Sequence, residues 1–173
     1  AAIALIGAPG LAAGQSIKIG YINSMSGGPG IYGKHGSDGF KLGLDHLGGK
    51  LGGLKAEVIY GDTQRKPDVA RQLVDKLIKR DRVEIVAGIT WSNILAAVRK
   101  PVIRAKKLLI STNAGWAGMA GKKCSAYFFS TSWNNDQAPE AMGHLMNQLK
   151  LKDVFLLSAN YQAGKDMLTG FER

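Results

Sequence analysis

Two stretches of this 173-residue sequence end an apolar run in hydroxyl, amide and indole groups. In V-E-I-V-A-G-I-T-W-S-N (83–93) the run gives way to Thr90, Trp91, Ser92 and Asn93. In L-L-I-S-T-N-A-G-W (108–116) it gives way to Thr112, Asn113, Ala114, Gly115 and Trp116. A strand handing over to a helix exposes unbonded N–H groups at the positive end of the helix dipole, and these favour an anion. Ser92 can cap such a start and can also donate its hydroxyl to a carboxylate. Asn113, Ala114 and Gly115 offer main-chain groups with little obstruction, while Trp91 and Trp116 offer an apolar or stacking wall. Together they describe a pocket for a small molecule with a carboxylate and an apolar body. Taken singly, Ser92 is a helix cap and the tryptophans are core. Their recurrence at two neighbouring strand ends favours a site.

Other chemistries find less support. Gly28–His35 (GPGIYGKH) matches G-x-x-x-x-G-K and then fails, because His35 stands where a phosphate loop needs Ser or Thr for Mg²⁺. A nucleotide hydrolase is therefore a distant alternative. No Ser occupies a G-x-S-x-G elbow, and His35, His46 and His144 stand apart without metal-ligand spacing. Cys124 is the one cysteine and has no internal partner. The sequence calls for no metal, no cofactor and no enzymatic activity.

The elements that must position these residues alternate. Strands are expected at 17–23, 54–60, 83–89, 108–111, 127–130 and 153–158, and helices at 33–47, from Pro67, from Asn93 (broken or kinked near Pro101), at 137–149 and from about Gly164. The helix at Pro67 is the best marked: Pro at its first position, Asp68 in its first turn, an apolar stripe, and Lys79, Arg80 and Arg82 at its negative pole. Gly36, Gly39 and Gly43 weaken the first helix and suggest close approach to a sheet or ligand. Strands apolar on both faces and alternating with helices predict an α/β fold, a parallel sheet flanked by helices on both faces, with ligands at the carboxyl ends of the strands.

Composition adds a location and removes a partner. Residues 1–16 (AAIALIGAPGLAAGQS) carry no charge and end in small residues, the pattern of a secretory signal remnant too short to span a bilayer, or else of a loose arm. Both ends look cut, so the chain is read as part of something longer, outside the cytoplasm. The net charge is +10, and residues 1–131 hold 19 basic and 8 acidic side chains. The basic residues lie on the polar faces of candidate helices without interleaved aromatics, which argues for a solvated face rather than a nucleic-acid partner.

In order and spacing, S-M-S-G-G-P-G-I-Y-G, V-I-Y-G-D, P-D-V-A-R-Q-L-V-D-K-L-I, A-G-I-T-W-S-N, L-I-S-T-N-A-G-W, N-D-Q-A-P-E-A-M and A-N-Y-Q-A-G-K-D-M resemble one group from Ile17 onward. That group is the leucine/isoleucine/valine-type periplasmic substrate-binding proteins of ABC transporters. The resemblance implies the type I periplasmic-binding-protein fold, with residues 17–131 as the first lobe and 132–173 as the start of a truncated second. It implies a small carboxylate ligand held at Ser92, with Asn113 and Gly115 contributing from the next loop, Tyr32 lining the pocket, and Tyr161 as an aromatic lid. It also implies a membrane permease as partner, or a signalling partner if the chain is a sensor of the same fold. Trp91 and Trp116 depart from the pattern of amino-acid binders and tilt the expectation toward an aromatic or other apolar acid. The family's first-lobe disulfide lacks its cysteines.

Overall fold

The structure is a computed structural model that describes residues 16–173. The leader expected over residues 1–16 lies outside the described residues except for Ser16, which opens the first strand.

The sheet is built on β1 (Ser16–Asn23), with Ile19 and Tyr21 on one face and Gly20 and Ile22 on the other. Gly20 has no side chain because Leu77 occupies the space: an added Cβ would lie 2.7 Å from its Cδ1. Around β1 run α1 (Gly30–His46), β2 (Lys50–Leu51), β3 (Leu54–Asp62), α2 (Pro67–Lys79), β4 (Ile85–Gly88), α3 (Ser92–Arg104), β5 (Leu108–Ser111) and β6 (Phe128–Ser130). The strand order is β2-β3-β1-β4-β5-β6. Every neighbouring pair is parallel except β2–β3, a hairpin whose turn, Gly52-Gly53, has φ of 56° and 83°. The all-parallel expectation thus gains one antiparallel edge, made from a Gly-Gly turn of the kind that suits two-residue hairpins.

Helices α2 and α3 cover one face. Ala70, Val74 and Leu77 meet Ile94, Leu95, Val98 and Val102 over Ile22, Val86 and Leu109 in a buried cluster. Helix α3 continues through Pro101 to Arg104 instead of breaking there. Helix α1 covers the other face, where Phe40 packs on Ile19 and Tyr21. Of Gly36, Gly39 and Gly43 only Gly36 abuts the strands, with an added Cβ 3.1 Å from Asn23 Nδ2; Gly39 and Gly43 face open space. Gly30 and Gly33 are the close contacts instead, packed on the main-chain carbonyls of Met25 and Ser24. Gly30 and Gly33 therefore seat the start of the helix against the loop, while Gly27 and Gly28 of the loop itself face open space.

Beyond β6 the chain forms α4 (Gln137–Gln148) and α5 (Gln162–Phe171), which pack on each other, and α5 also touches α3. The strand expected at 153–158 does not form. It pairs with no other strand among the described residues, and an extended segment without a partner leaves its N–H and C=O groups unbonded. Phe155 and Leu157 are 90% and 89% exposed as a result.

Candidate functional site

The carboxyl ends of β1, β4 and β5 lie side by side, and the hydroxyl and amide residues at those ends tie them together. Asn23 Oδ1 accepts from the main-chain N–H groups of Ser24 and Thr90, both at 3.1 Å, and from the Thr90 hydroxyl. Asn113 Nδ2 donates to the Thr90 carbonyl at 3.0 Å, and Thr112 Oγ1 donates to the Gly88 carbonyl at 3.1 Å. Beside them opens a cleft of about 460 Å³, within the range of small-molecule sites, lined among others by Tyr32, His35, Phe40, Thr90, Thr112 and Asn113. Its floor is Tyr21, stacked on Phe40 at 4.5 Å, with its hydroxyl donated to the Gly36 carbonyl at 2.9 Å. Burial pushes the Tyr21 phenol up despite hydrogen bonding with Thr112 and Asn23.

After Gly88 the chain bends through Ile89 at φ 71°, a left-handed conformation that a β-branched residue rarely adopts. Two residues past the bend, Trp91 stands against Tyr32, one of the residues lining the cleft. The Tyr32 and Tyr161 rings approach Trp91 edgewise, at centroid distances of 6.2 and 6.1 Å, and the Arg65 guanidinium lies over its face at 4.2 Å. Trp91 Nε1 is buried and donates to nothing among the described residues.

Trp91 is also the residue at the N-cap of α3, and no side chain caps that helix. Ser92, expected as the cap, is the first helical residue. An indole has no acceptor for the unpaired N–H groups of a first turn, so this helix start awaits an oxygen from elsewhere. Ser92 is 3% exposed, and its Oγ accepts from Asn135 Nδ2 at 3.0 Å. Asn135 Nδ2 also donates to Asp166 Oδ2 at 2.9 Å, and Asp166 in turn accepts from Ala117 N at 3.0 Å and from Gln162 Nε2 at 2.9 Å. Asn93 Oδ1 is buried and unpaired.

The residues expected to form one site are therefore divided. Tyr32, Trp91 and Tyr161 meet, Tyr32 and Asn113 line the cleft, and Ser92 lies buried at the helix start with Asn93 half-buried beside it. Ala114, Gly115 and Trp116 line a different hollow of about 220 Å³ together with Ser132 and Trp133. The Ala114 N–H is bonded to the Ile89 carbonyl, and Trp116 is core, 7% exposed beside Met119. Gly115 is glycine because an added Cβ would overlap the Trp133 carbonyl. Sequence reading marked Thr90 and Thr112 only as strand-end hydroxyls without a part in the site, and it missed Asn23, Asn135, Asp166 and Arg65. Asn23 is a strand-end polar residue of the kind already recognised at Asn113, while the other three carry no local signal.

Among the described residues no cluster of His, Cys, Asp or Glu could hold a metal ion, and no helix is long and apolar enough to cross a membrane. Comparison with known proteins decides the lineage. The family described as periplasmic binding protein matches residues 16–173. The chain belongs to this family. Like other periplasmic binding proteins it resembles a Leu/Ile/Val-binding protein homologue of Brucella abortus, at 26% identity over 90% of this chain and 40% of that protein. Among solved structures it is similar to a solute-binding protein of an ABC transporter from Rhodopseudomonas palustris in complex with 3,4-dihydroxybenzoic acid, with TM-score 0.81, 29% identity and coverage of 91% and 43% of the two chains. It is also similar to the substrate-binding protein of a branched-chain amino acid transporter from Streptococcus pneumoniae in complex with isoleucine, with TM-score 0.77, 25% identity and coverage of 91% and 46%. This periplasmic binding protein chain thus spans less than half the length of the relatives it matches.

Proposed function

We propose that the chain carries the carboxylate-recognising part of an extracytoplasmic solute-binding component, which captures a small acid between two lobes and delivers it to an ABC permease. Residues 17–131 form the first lobe in this reading, 132–173 open the second, and residues 1–16 are the remnant of an export signal. No bond is made or broken. The observation that carries the reading is the uncapped start of α3 beside the cleft: Trp91 at its cap, and an indole N–H with no acceptor. A ligand carboxylate would satisfy the first-turn N–H groups at the positive end of the helix. The Ser92 hydroxyl, held by Asn135 as acceptor, keeps its own proton to donate. Tyr32, Trp91 and Tyr161 wall the apolar body of the ligand. The relatives' ligands, an aromatic acid and an aliphatic amino acid, share that carboxylate.

The test is a thermal-shift and calorimetry panel on the full-length protein with aromatic acids, aliphatic acids and amino acids. A ligand at a hundredfold excess over Kd should stabilise by about 2.7 kcal/mol and change the Trp91 emission. Ser92→Ala should weaken the best acid by about 1–3 kcal/mol. Saturating ligand with unchanged tryptophan emission refutes the aromatic wall.

A further inference from the structure

We propose that Arg65 selects the charge of the ligand, so that the cleft takes a net-anionic carboxylic acid in preference to the zwitterionic amino acid of the same shape. The inference rests on the carboxylate reading above and narrows it.

Arg65 lies in the loop between β3 and α2. Its guanidinium is stacked on Trp91 at 4.2 Å, the residue is exposed, and it enters none of the ion pairs among the described residues. The acids nearest it in sequence are engaged elsewhere. Asp62 Oδ1 accepts from the N–H groups of Met25 and Gln64, and Asp68 pairs with Arg71. The loop is fixed where it is: Gln64 and Arg65 are both left-handed, with φ of 50° and 59°. The Arg65 N–H donates to Ser24 Oγ at 3.2 Å, and that hydroxyl is 2.6 Å from Thr63 Oγ1. Two successive non-glycine residues in this conformation persist only where their surroundings impose it. Here the effect is to hold a guanidinium over the face of an indole.

A guanidinium stacked in this way keeps the N–H fork at its edge free, and that fork matches the two oxygens of a carboxylate. Trp91 immediately precedes α3, so Arg65 and the uncapped helix start border the same ring. A carboxylate placed there meets main-chain N–H groups and a full positive charge. The ammonium of an α-amino acid, one carbon away, meets two positive ends. Among the described residues the cleft lining offers it no carboxylate, and the buried carboxylate of Asp166 already accepts from three donors. Discrimination of this kind comes as much from the unfavourable contact with the competitor as from the favourable one with the ligand.

The experiment compares matched pairs on the full-length protein by calorimetry: isocaproate against leucine, hydrocinnamate against phenylalanine, and phenylacetate against phenylglycine. In the wild type the acid of the best-bound pair should bind at least tenfold tighter than its partner. Arg65→Gln should bring that ratio to within about threefold of unity, with Arg65→Lys between the two because it keeps charge but loses the planar fork. A ratio is insensitive to a partial loss of folded protein, so a weakened variant still reports. An amino acid that outbinds its deaminated analogue in the wild type overturns the proposal, as does a ratio unchanged in Arg65→Gln; in both cases carboxylate capture survives. Absence of heat with every acid removes the carboxylate reading and this inference with it.

Discussion

Asp166 offers a test of how the second helical segment is fastened to the sheet. It is 9% exposed and holds three N–H donors: Ala117 N at 3.0 Å and Asn135 Nδ2 at 2.9 Å on one oxygen, and Gln162 Nε2 at 2.9 Å on the other. Truncation by Asp166→Ala leaves the Ala117 N–H and one Asn135 proton without an acceptor, each at about 1–3 kcal/mol. Gln162, at the edge, can turn to water. Relief of the carboxylate's own desolvation offsets part of this loss, so the expected destabilisation is about 2–4 kcal/mol. Asp166→Asn should behave differently. Its amide oxygen can take the two bonds on the inner side, while its NH₂ faces Gln162, whose amide rotates to present Oε1. That exchange should cost less than about 1 kcal/mol. Urea unfolding of the full-length protein at neutral pH reads both variants as shifts in midpoint at constant slope. Equal losses for Ala and Asn, or an Ala variant within about 0.5 kcal/mol of wild type, would refute the acceptor-pattern argument.

Gly115→Ala places a methyl into the Trp133 carbonyl and should cost the upper end of about 1–3 kcal/mol, visible as a lowered melting temperature and displaced Trp133 emission. For Asp62, burial raises the carboxyl, but hydrogen bonds from the Ser26 side chain and from the Gln64, Met25 and Ser26 main chain outweigh it and hold the group below its ordinary value of 3.8. Its stabilising contribution is therefore complete above that value and is lost as the pH falls through the lowered one. The melting-temperature gap between wild type and Asp62→Asn should be constant from pH 7 to about 5 and close below about 4. Trp91→Phe keeps an aromatic wall but deletes the unpaired indole N–H, so it should weaken acid binding by about 1 kcal/mol in calorimetry while changing stability little.

What could be read beforehand followed from periodicity. The stripe Ala70, Val74, Leu77 and the apolar run into Gly88 have unambiguous spacings, and both elements formed where expected. The two-residue strand β2 is too short to show a period; its trace was the pair Gly48-Gly49 and Gly52-Gly53, all with positive φ. The expected strand over 153–158 was apolar enough, but strands also need neighbours, and none is paired with it. At the candidate site, local types marked two of the three strand ends that border the cleft but not which way each side chain points. Trp91 and Trp116 look alike in sequence, yet one stands against Tyr32 of the cleft lining and the other is packed beside Met119. Arg65 was illegible because an exposed arginine in a loop is ordinary; its meaning comes from a left-handed backbone and a ring 26 positions away.

The bend at Ile89 governs how the cleft meets its guest. That side chain is fully enclosed among Ile22, Val86 and Ile94, so hydrocarbon packing decides the direction in which the chain leaves β4. The indole is therefore aimed by the protein interior before any solute arrives. Little ordering of this ring is left for the two lobes of the proposed capture to supply as they meet.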